Sequence, residues 1–556
     1  MMIRIDKQQA ERGVSLLLAT ISLVMIIPIV GLAVDLGYLY ACKARLQAAV
    51  DGSALAAARA LVLGSSTVSQ AASAKQNAVN WFYANFPPNN WLTTGTVMNS
   101  NSVQVYDDPS NQHLRHVDIT ATTKVPTFFM KWFRFNATTI AATGHASRRD
   151  TVVMMVLDRS GSMCLGATTP CNTTGACGSM KTAAKLFTGQ FAPGRDYIGL
   201  LSFSDGTYLH SAPTRDFRTV LGYTNSSGSG AGAIDTIQCQ GGTNSAQAIA
   251  LAYNELYKMA LPGALNVLLF ETDGLPNTLT LNFWDSMSNT ASLNSLPNVS
   301  GQPRGCVDAA NKTKANGGWT TSASRRLWLT SAYSMNSPSA GYMADLAPGP
   351  IGALYSTDPA NGSSFLALDN PFHTSGSAGA QYMTTTTGCR FNPSSTGGIQ
   401  NDVSDFSRIP GSDVWGNSLN PASHPYKAVT MSGSFIAFNQ STTALKWSNY
   451  RAGVFNATDH AAYRARSNQT LAATMFVIGL GGSSGDPPDF TLLQRMANDP
   501  QGDSFNNPAK YTPCSQNLSC YTYSDQPAGM FLYSSDQSTL QRAFLKLSSQ
   551  ILRLNQ

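Results

Sequence analysis

Val152 to Met163 reads VVMMVLDRSGSM: six apolar residues without a break, then Asp158, then Ser160 and Ser162. A strand apolar on both sides has no face to offer water, so it belongs inside a parallel sheet covered above and below. Tyr197 to Phe203, Asn266 to Phe270 and Met475 to Leu480 are further short apolar runs. Helical patterns lie between and after them, at Ser179 to Phe191, Ser245 to Met259, Phe490 to Ala497 and Ser538 to Leu552. Strands alternating with helices give an α/β doubly wound sheet with helices on both faces. In such a sheet ligands collect beyond the carboxyl ends of the strands. The polar residues that end these runs are therefore where chemistry is expected.

Asp158, Ser160 and Ser162 put one carboxylate and two hydroxyls into a single turn, a donor set for a hard divalent cation that takes oxygen ligands. Gly241-Gly242-Thr243-Asn244 opens the helical pattern at Ser245 and adds a third hydroxyl, Thr243. The run from Asn266 ends in Thr272-Asp273-Gly274, which brings Asp273 to the same sheet edge as Asp158. This constellation resembles the metal-ion-dependent adhesion site of the von Willebrand factor type A family. The resemblance implies that Asp158, Ser160, Ser162, Thr243 and Asp273 coordinate Mg2+ or Mn2+. It also implies that one coordination position is left for an Asp or Glu carboxylate from a partner protein. It covers residues 150–276 and 457–556.

Arg4, Lys7 and Arg12 precede a stretch, Val14 to Val34, that carries no charge for about the 20 residues a helix needs to cross a bilayer. Positive residues ahead of a first span favour an amino terminus that stays inside. The helical pattern continues beyond the span, with Leu46, Val50, Ala57 and Leu61 at helical spacing and alanine dense from Ala48 to Ala60. Gly31 to Leu61 resembles the amino-terminal segment of TadG-like Tad/Flp pilus-assembly proteins, on Asp35, Gly37, Leu46, Gln47, Ala49, Asp51, Ala54, Leu55 and Ala56. Val50 departs from it, standing where the pattern tends to carry alanine. Three period-two segments follow, at Val103 and Val105, Val117 to Val125 and Ile140 to Ala146, which predict antiparallel strands with one wet face. A long helix before a small antiparallel sheet is the plan of a pilin-like α+β module, by analogy of fold. The divisions expected are a cytoplasmic tail at 1–12, a transmembrane helix at 13–36 and the TadE/TadG-like module at 37–149.

Residues 277–456 are rich in Gly, Ser, Asn, Pro and Thr and weakly periodic. A structureless loop of that size does not sit inside a compact domain, so the segment is read as a large insert of irregular and β structure. Its root directly follows Asp273-Gly274, at the rim of the expected metal site. Cys42 stands apart from eight later cysteines, and no Cys-x-x-Cys occurs, which favours disulfides in an oxidising compartment over a zinc ribbon. Cys514 with Cys520 and Cys306 with Cys389 are expected pairs. A further bridge is expected between the Cys164–Cys177 loop and Cys239, on either side of the metal-binding segments.

Charged residues are 12% of the chain and the net charge is +6 with no long basic block, which gives nucleic acid no footprint. No His-Glu-x-x-His or Gly-Lys-Ser/Thr motif occurs, and His210 and His460 are the only histidines in the type A segments. The expectation is a non-enzymatic, single-pass bacterial inner-membrane protein of pilus assembly or pilus-mediated adhesion, whose exported part works with pilus-assembly components and binds a protein partner's carboxylate through a divalent cation. The alternatives are a metal-independent structural scaffold of the pilus machinery and a metal-assisted hydrolase, for which the sequence supplies no evident base.

Overall fold

The computed structural model describes residues 7–164, 171–204, 207–223, 231–239, 242–261, 263–282, 351–355, 365–368, 390–391, 411–413, 415–433, 435–436, 443–481, 488–500 and 522–554. The chain divides into two compact units between Arg149 and Asp150.

The first unit is built on one helix of 54 residues, α1 (Lys7–Ala60), with α2 (Thr67–Asn85) folded back on its end. The Leu17 to Val34 side chains of α1 are largely exposed, whereas Leu46, Val50, Ala54 and Ala57 are buried. That change along one helix follows the sequence, in which an all-round apolar stretch gives way to a single apolar stripe. The sheet holds β1 (Thr94–Val97), β2 (Val103–Asp107), β3 (Leu114–Pro126) and β4 (Ala137–Arg149), all antiparallel. Long β3 pairs with β4 on one side and with both β1 and β2 on the other. Two elements, β1 and α2, go beyond the sequence reading. The buried positions of α2, Gln70, Ala74, Ala78 and Phe82, recur every fourth residue but include one large apolar side chain only, which leaves little hydropathy contrast.

Several residues of the TadG-like pattern have a packing role here. Gln47 donates to the Thr143 carbonyl in β4 at 2.7 Å and to Asp51 Oδ1 at 2.8 Å. Val50 lies so close to β4 that a Cβ on Gly144 would sit 2.9 Å from its Cγ1. Only glycine lets helix and strand approach this far.

The second unit is a six-stranded sheet in the order β16-β15-β8-β5-β6-β7. Its members are β5 (Thr151–Asp158), β6 (Tyr197–Phe203), β7 (Thr207–Thr214), β8 (Leu265–Thr272), β15 (Thr474–Leu480) and β16 (Met530–Ser534). All neighbours are parallel except β7, an antiparallel edge strand that tolerates Pro213 because an edge need not donate every N–H. One face packs α3 (Gly175–Thr188), α4 (Phe217–Leu221) and α8 (Gln537–Leu554) over a core that includes Val153, Met155, Phe187 and Phe544. The other packs α5 (Ser245–Met259), α6 (Thr443–Ser467) and α7 (Phe490–Ala497) over Met154, Val156, Phe270 and Tyr253. Alternate residues of β5 serve the two cores, as the unbroken apolar run requires. This is the doubly wound type A architecture expected from the sequence.

Helix α6 crosses position 457, and Trp415, from the segment before it, is buried in the same core. Packed structure of the second unit thus begins well ahead of 457. Between β8 and α6 the described strands are β9 (Thr278–Asn282), β10 (Ile351–Tyr355), β11 (Phe365–Leu368) and β12 (Arg390–Phe391), in one antiparallel sheet of order β12-β11-β10-β9, and the small pair β13 (Met431–Ser432) and β14 (Phe435–Ile436). Residues 283–350, 356–364, 369–389, 392–410, 414, 434 and 437–442 of the insert, and the pairs Cys306–Cys389 and Cys514–Cys520, lie outside the described residues.

Candidate metal centre

Strand order places the site. From β5 the chain passes to β6 on one side and later returns to β8 on the other, so a crevice opens at the carboxyl ends of β5 and β8. Asp158 is the last residue of β5, and Asp273 directly follows β8. Leu157 pairs with Glu271, which sets the two strand ends level.

Beyond Asp158 the chain turns tightly. The Ser160 N–H donates to Asp158 Oδ1 at 2.7 Å, and a short 3₁₀ turn, Gly161–Cys164, carries Ser162. The Ser160 and Ser162 hydroxyls are 2.8 Å apart, and Ser162 donates to Asp273 Oδ1 at 2.6 Å. Ser160 Oγ lies 3.4 Å from the same oxygen. Thr243 stands just ahead of α5, whose first turn is capped by Asn244 accepting from Gln247 N–H. A Cβ on Gly274 would lie 3.4 Å from Ser162 Oγ and 3.7 Å from Thr243 Oγ1, so both hydroxyls border one small space. The structure brings Asp158, Ser160, Ser162 and Asp273 into one hydrogen-bonded cluster and sets Thr243 at its edge. Gly241, read as part of the same element, lies outside the described residues.

Three neighbours were given no role at the site in the sequence reading. Thr272 donates to Asp158 Oδ2 at 2.5 Å, fixing the second oxygen of that carboxylate. Asn277 accepts the Thr243 N–H at 2.7 Å, and its own N–H donates to the Thr243 carbonyl at 3.0 Å. Glu271 is fully buried and accepts the Asp158 N–H at 3.4 Å. The signal for Glu271 was a carboxylate continuing an apolar strand without a turn residue between.

Asp158, Glu271 and Asp273 are all fully buried. Burial, and then the Asp273 charge, push the Asp158 carboxyl up to about 7. Burial, then Asp158 and Asp273, raise Glu271 well above the usual carboxylate range. A concentration of buried carboxyls ringed by hydroxyls is an all-oxygen donor set in which a hard divalent cation would lower the repulsion.

The rim is stapled. Cys177–Cys239 links α3 to the segment leading to Thr243, the place where a bridge was expected, and Cys164–Cys171 closes the loop after Ser162. Cys171 and Cys239 also exchange backbone hydrogen bonds of 3.2 and 2.8 Å. Cys42 is a buried free thiol. His210 bonds Ser202 Oγ at 2.7 Å and Thr236 Oγ1 at 3.2 Å, and burial beside Arg159 and Lys181 drives it down to about 3. His460 accepts the Ser418 N–H at 3.1 Å and is lowered to about 4, chiefly by burial.

Residues 153–275 match the von Willebrand factor type A domain family, and residues 13–60 match the TadE/G-like Flp pilus-assembly family. No curated protein matches the chain. Among solved structures, the PilB minor pilin from Streptococcus sanguinis is 11% identical, over 84% of this chain and 80% of its own, with a TM-score of 0.29. The vWF domain of the type V pili tip protein Mfa5 from Porphyromonas gingivalis is 15% identical, over 74% of this chain and 98% of its own, with a TM-score of 0.30. The pilus adhesin SpaC from Lactobacillus rhamnosus GG is 11% identical, over 82% of this chain and 36% of its own, with a TM-score of 0.28. On its two family matches, the chain joins a TadE/G-like segment to a von Willebrand factor type A domain, the make-up of a TadG-like protein.

Proposed function

We propose that the protein is a membrane-anchored component of Tad-type pilus assembly or pilus-mediated adhesion that binds an acidic protein partner through Mg2+ or Mn2+. Asp158, Ser160, Ser162, Thr243 and Asp273 would hold the ion. The observation that carries this reading is the cluster in which both serine hydroxyls converge on Asp273 Oδ1 beside the buried Asp158 carboxyl. A divalent ion bound there supplies an electrophilic site for a carboxylate, and neutral hydroxyls among its ligands leave that electrophilicity intact. The family matches support the pilus setting, and the apolar stretch of α1 supports an anchor in the inner membrane.

The activity proposed is binding, without bond cleavage. His210 and His460, engaged with side-chain and backbone partners and held neutral, are read as packing residues. Calorimetric titration of the detergent-solubilised full chain with MgCl2 and MnCl2, beside Asp273→Ala, tests the reading. Saturable binding lost in the variant is expected. A folded parent that binds neither ion would leave the metal-independent scaffold as the better description.

A further inference from the structure

The turn between β3 and β4 reads FFMKWFRF, Phe128 to Phe135, and puts its largest side chains outside. Trp132 is 82% exposed, Phe133 59% and Phe135 60%. The turn is nevertheless firmly built. Thr127 N–H donates to the Asn136 carbonyl at 3.2 Å, Phe135 N–H to the Met130 carbonyl at 3.2 Å, and Met130–Phe133 is a 3₁₀ turn.

What fixes it lies on α1. Asp35, buried in the middle of that helix, accepts the backbone N–H groups of Phe128, Phe129 and Met130 at 2.8, 3.0 and 2.7 Å. One turn earlier, Gly31 leaves a notch filled by Phe129, whose Cγ would lie 2.6 Å from any Cβ placed there. Tyr38, one turn later, sets its ring edge-on to Phe128 with centroids 5.1 Å apart. The turn is thus clamped to residues 31–38, where the charge-free stretch ending at Val34 gives way to polar helix. Twenty-one helical residues rise about 31 Å, the thickness of a hydrocarbon core. If α1 spans the bilayer, the turn lies level with the lipid headgroups on the side where the chain continues.

We propose that Phe128–Phe135 is an interfacial anchor, in which Trp132, Phe133 and Phe135 enter the headgroup and acyl boundary of the bilayer that α1 crosses, and Lys131 and Arg134 meet lipid phosphates. Aromatic rings with a basic rim partition to this depth. Asp35 then has a defined role, holding the base of the turn by three hydrogen bonds at the level where the helix leaves the lipid. The proposal rests on α1 being a membrane span, and continuity with that span identifies the occupant as lipid.

The test uses the full chain reconstituted in phosphatidylcholine–phosphatidylglycerol vesicles whose acyl chains are brominated near the headgroup, with carbonate extraction run first. Bromine quenching of tryptophan emission is compared between the parent and Trp132→Phe, an exposed and conservative change. Trp132 is one of eight tryptophans, and Trp132→Phe is expected to remove at least half of the quenchable emission. A carbonate-resistant chain in which Trp132→Phe leaves the quenching unchanged overturns the anchor and leaves the membrane span standing. A Trp132 quenched by aqueous acrylamide in place of bromolipid also overturns it and points to a protein neighbour. A chain that carbonate extracts overturns the span and the anchor together.

Discussion

Asp158→Asn is expected to stabilise the metal-free protein and to destabilise it relative to the parent once Mg2+ is present. The variant keeps the shape of the site. An asparagine Oδ1 can still accept the Ser160 N–H, while its Nδ2 can donate to Thr272 Oγ1, whose proton can turn to the Gly274 carbonyl 3.3 Å away. What it removes is one of the mutually repelling buried carboxyls. The Asp158 pKa is raised in the fold to about 7, so its contribution to stability is fully present below the ordinary carboxyl value near 4 and is lost as pH rises through 7. About three units at 1.36 kcal/mol each set a ceiling of roughly 4 kcal/mol at pH 8. Relaxation of the loop and entry of water reduce this to about 2 kcal/mol. In EDTA at pH 8 the variant should therefore unfold at higher denaturant than the parent, and the gap should shrink by more than half at pH 5. With free Mg2+ about 100-fold above Kd, the parent gains about 2.7 kcal/mol by mass action and the variant gains nothing, so the order reverses. Guanidinium unfolding followed by circular dichroism in the two buffers measures both. A variant less stable than the parent in EDTA at pH 8 would refute the account of the site as a charge cost awaiting a cation.

Gly144→Ala should destabilise the first unit by about 1–3 kcal/mol through overpacking against Val50, and adding Val50→Ala should recover part of that loss in the same unfolding assay. His210 and His460 are held neutral, at about 3 and about 4; for such lowered bases stability is full above the unfolded value near 6.5 and falls as pH drops toward the folded values. Each half-buried histidine should cost about 1–2 kcal/mol by pH 5, so metal-free stability, read by melting temperature across pH 4–9, should peak near pH 6, with Asp158 lowering it on the alkaline side. Cys177–Cys239 spans 62 residues and Cys164–Cys171 spans 7; on the loop-entropy argument, replacing the first pair by serine should cost about 4 kcal/mol and the second about 2, an order that guanidinium midpoints would check.

The legibility of this chain followed the physics of each signal. Strand β5 could be read because burial on both faces leaves a contiguous apolar run, and the ends of β5 and β8 could be read because parallel strands bring chemistry to one edge. Edge strands give no such signal: β7, with Tyr208, His210 and Ser211 only part-buried, looks like loop in a hydropathy scan. Helix α3 begins at Gly175, ahead of the expected Ser179, because Gly175 and Gly178 read as turn residues. Gly178 has another reason to be there, since a Cβ would fall 2.2 Å from the Thr173 carbonyl oxygen. In the site, the oxygen donors were legible because D-x-S-x-S and T-D-G are local patterns. Asn277 was not, since its clamp on Thr243 crosses 34 residues. No spacing rule carries that information.

The site also accounts for where the chain spends its disulfides. Ser160 and Ser162 come from the loop after β5 and Thr243 from the segment before α5, and the 3₁₀ turn Gly161–Cys164 is all the regular structure that either stretch has of its own among the described residues. Without a cation, the buried carboxyls between them favour opening the crevice. The Cys164–Cys171 and Cys177–Cys239 bridges, the paired backbones of Cys171 and Cys239 and the Asn277 clamp oppose that opening from the rim. On the proposed reading, holding the donors together before an ion binds would remove an ordering cost from binding, a gain that would appear in affinity. The two bridges thus lie where they would resist the repulsion of the buried carboxyls between the loops.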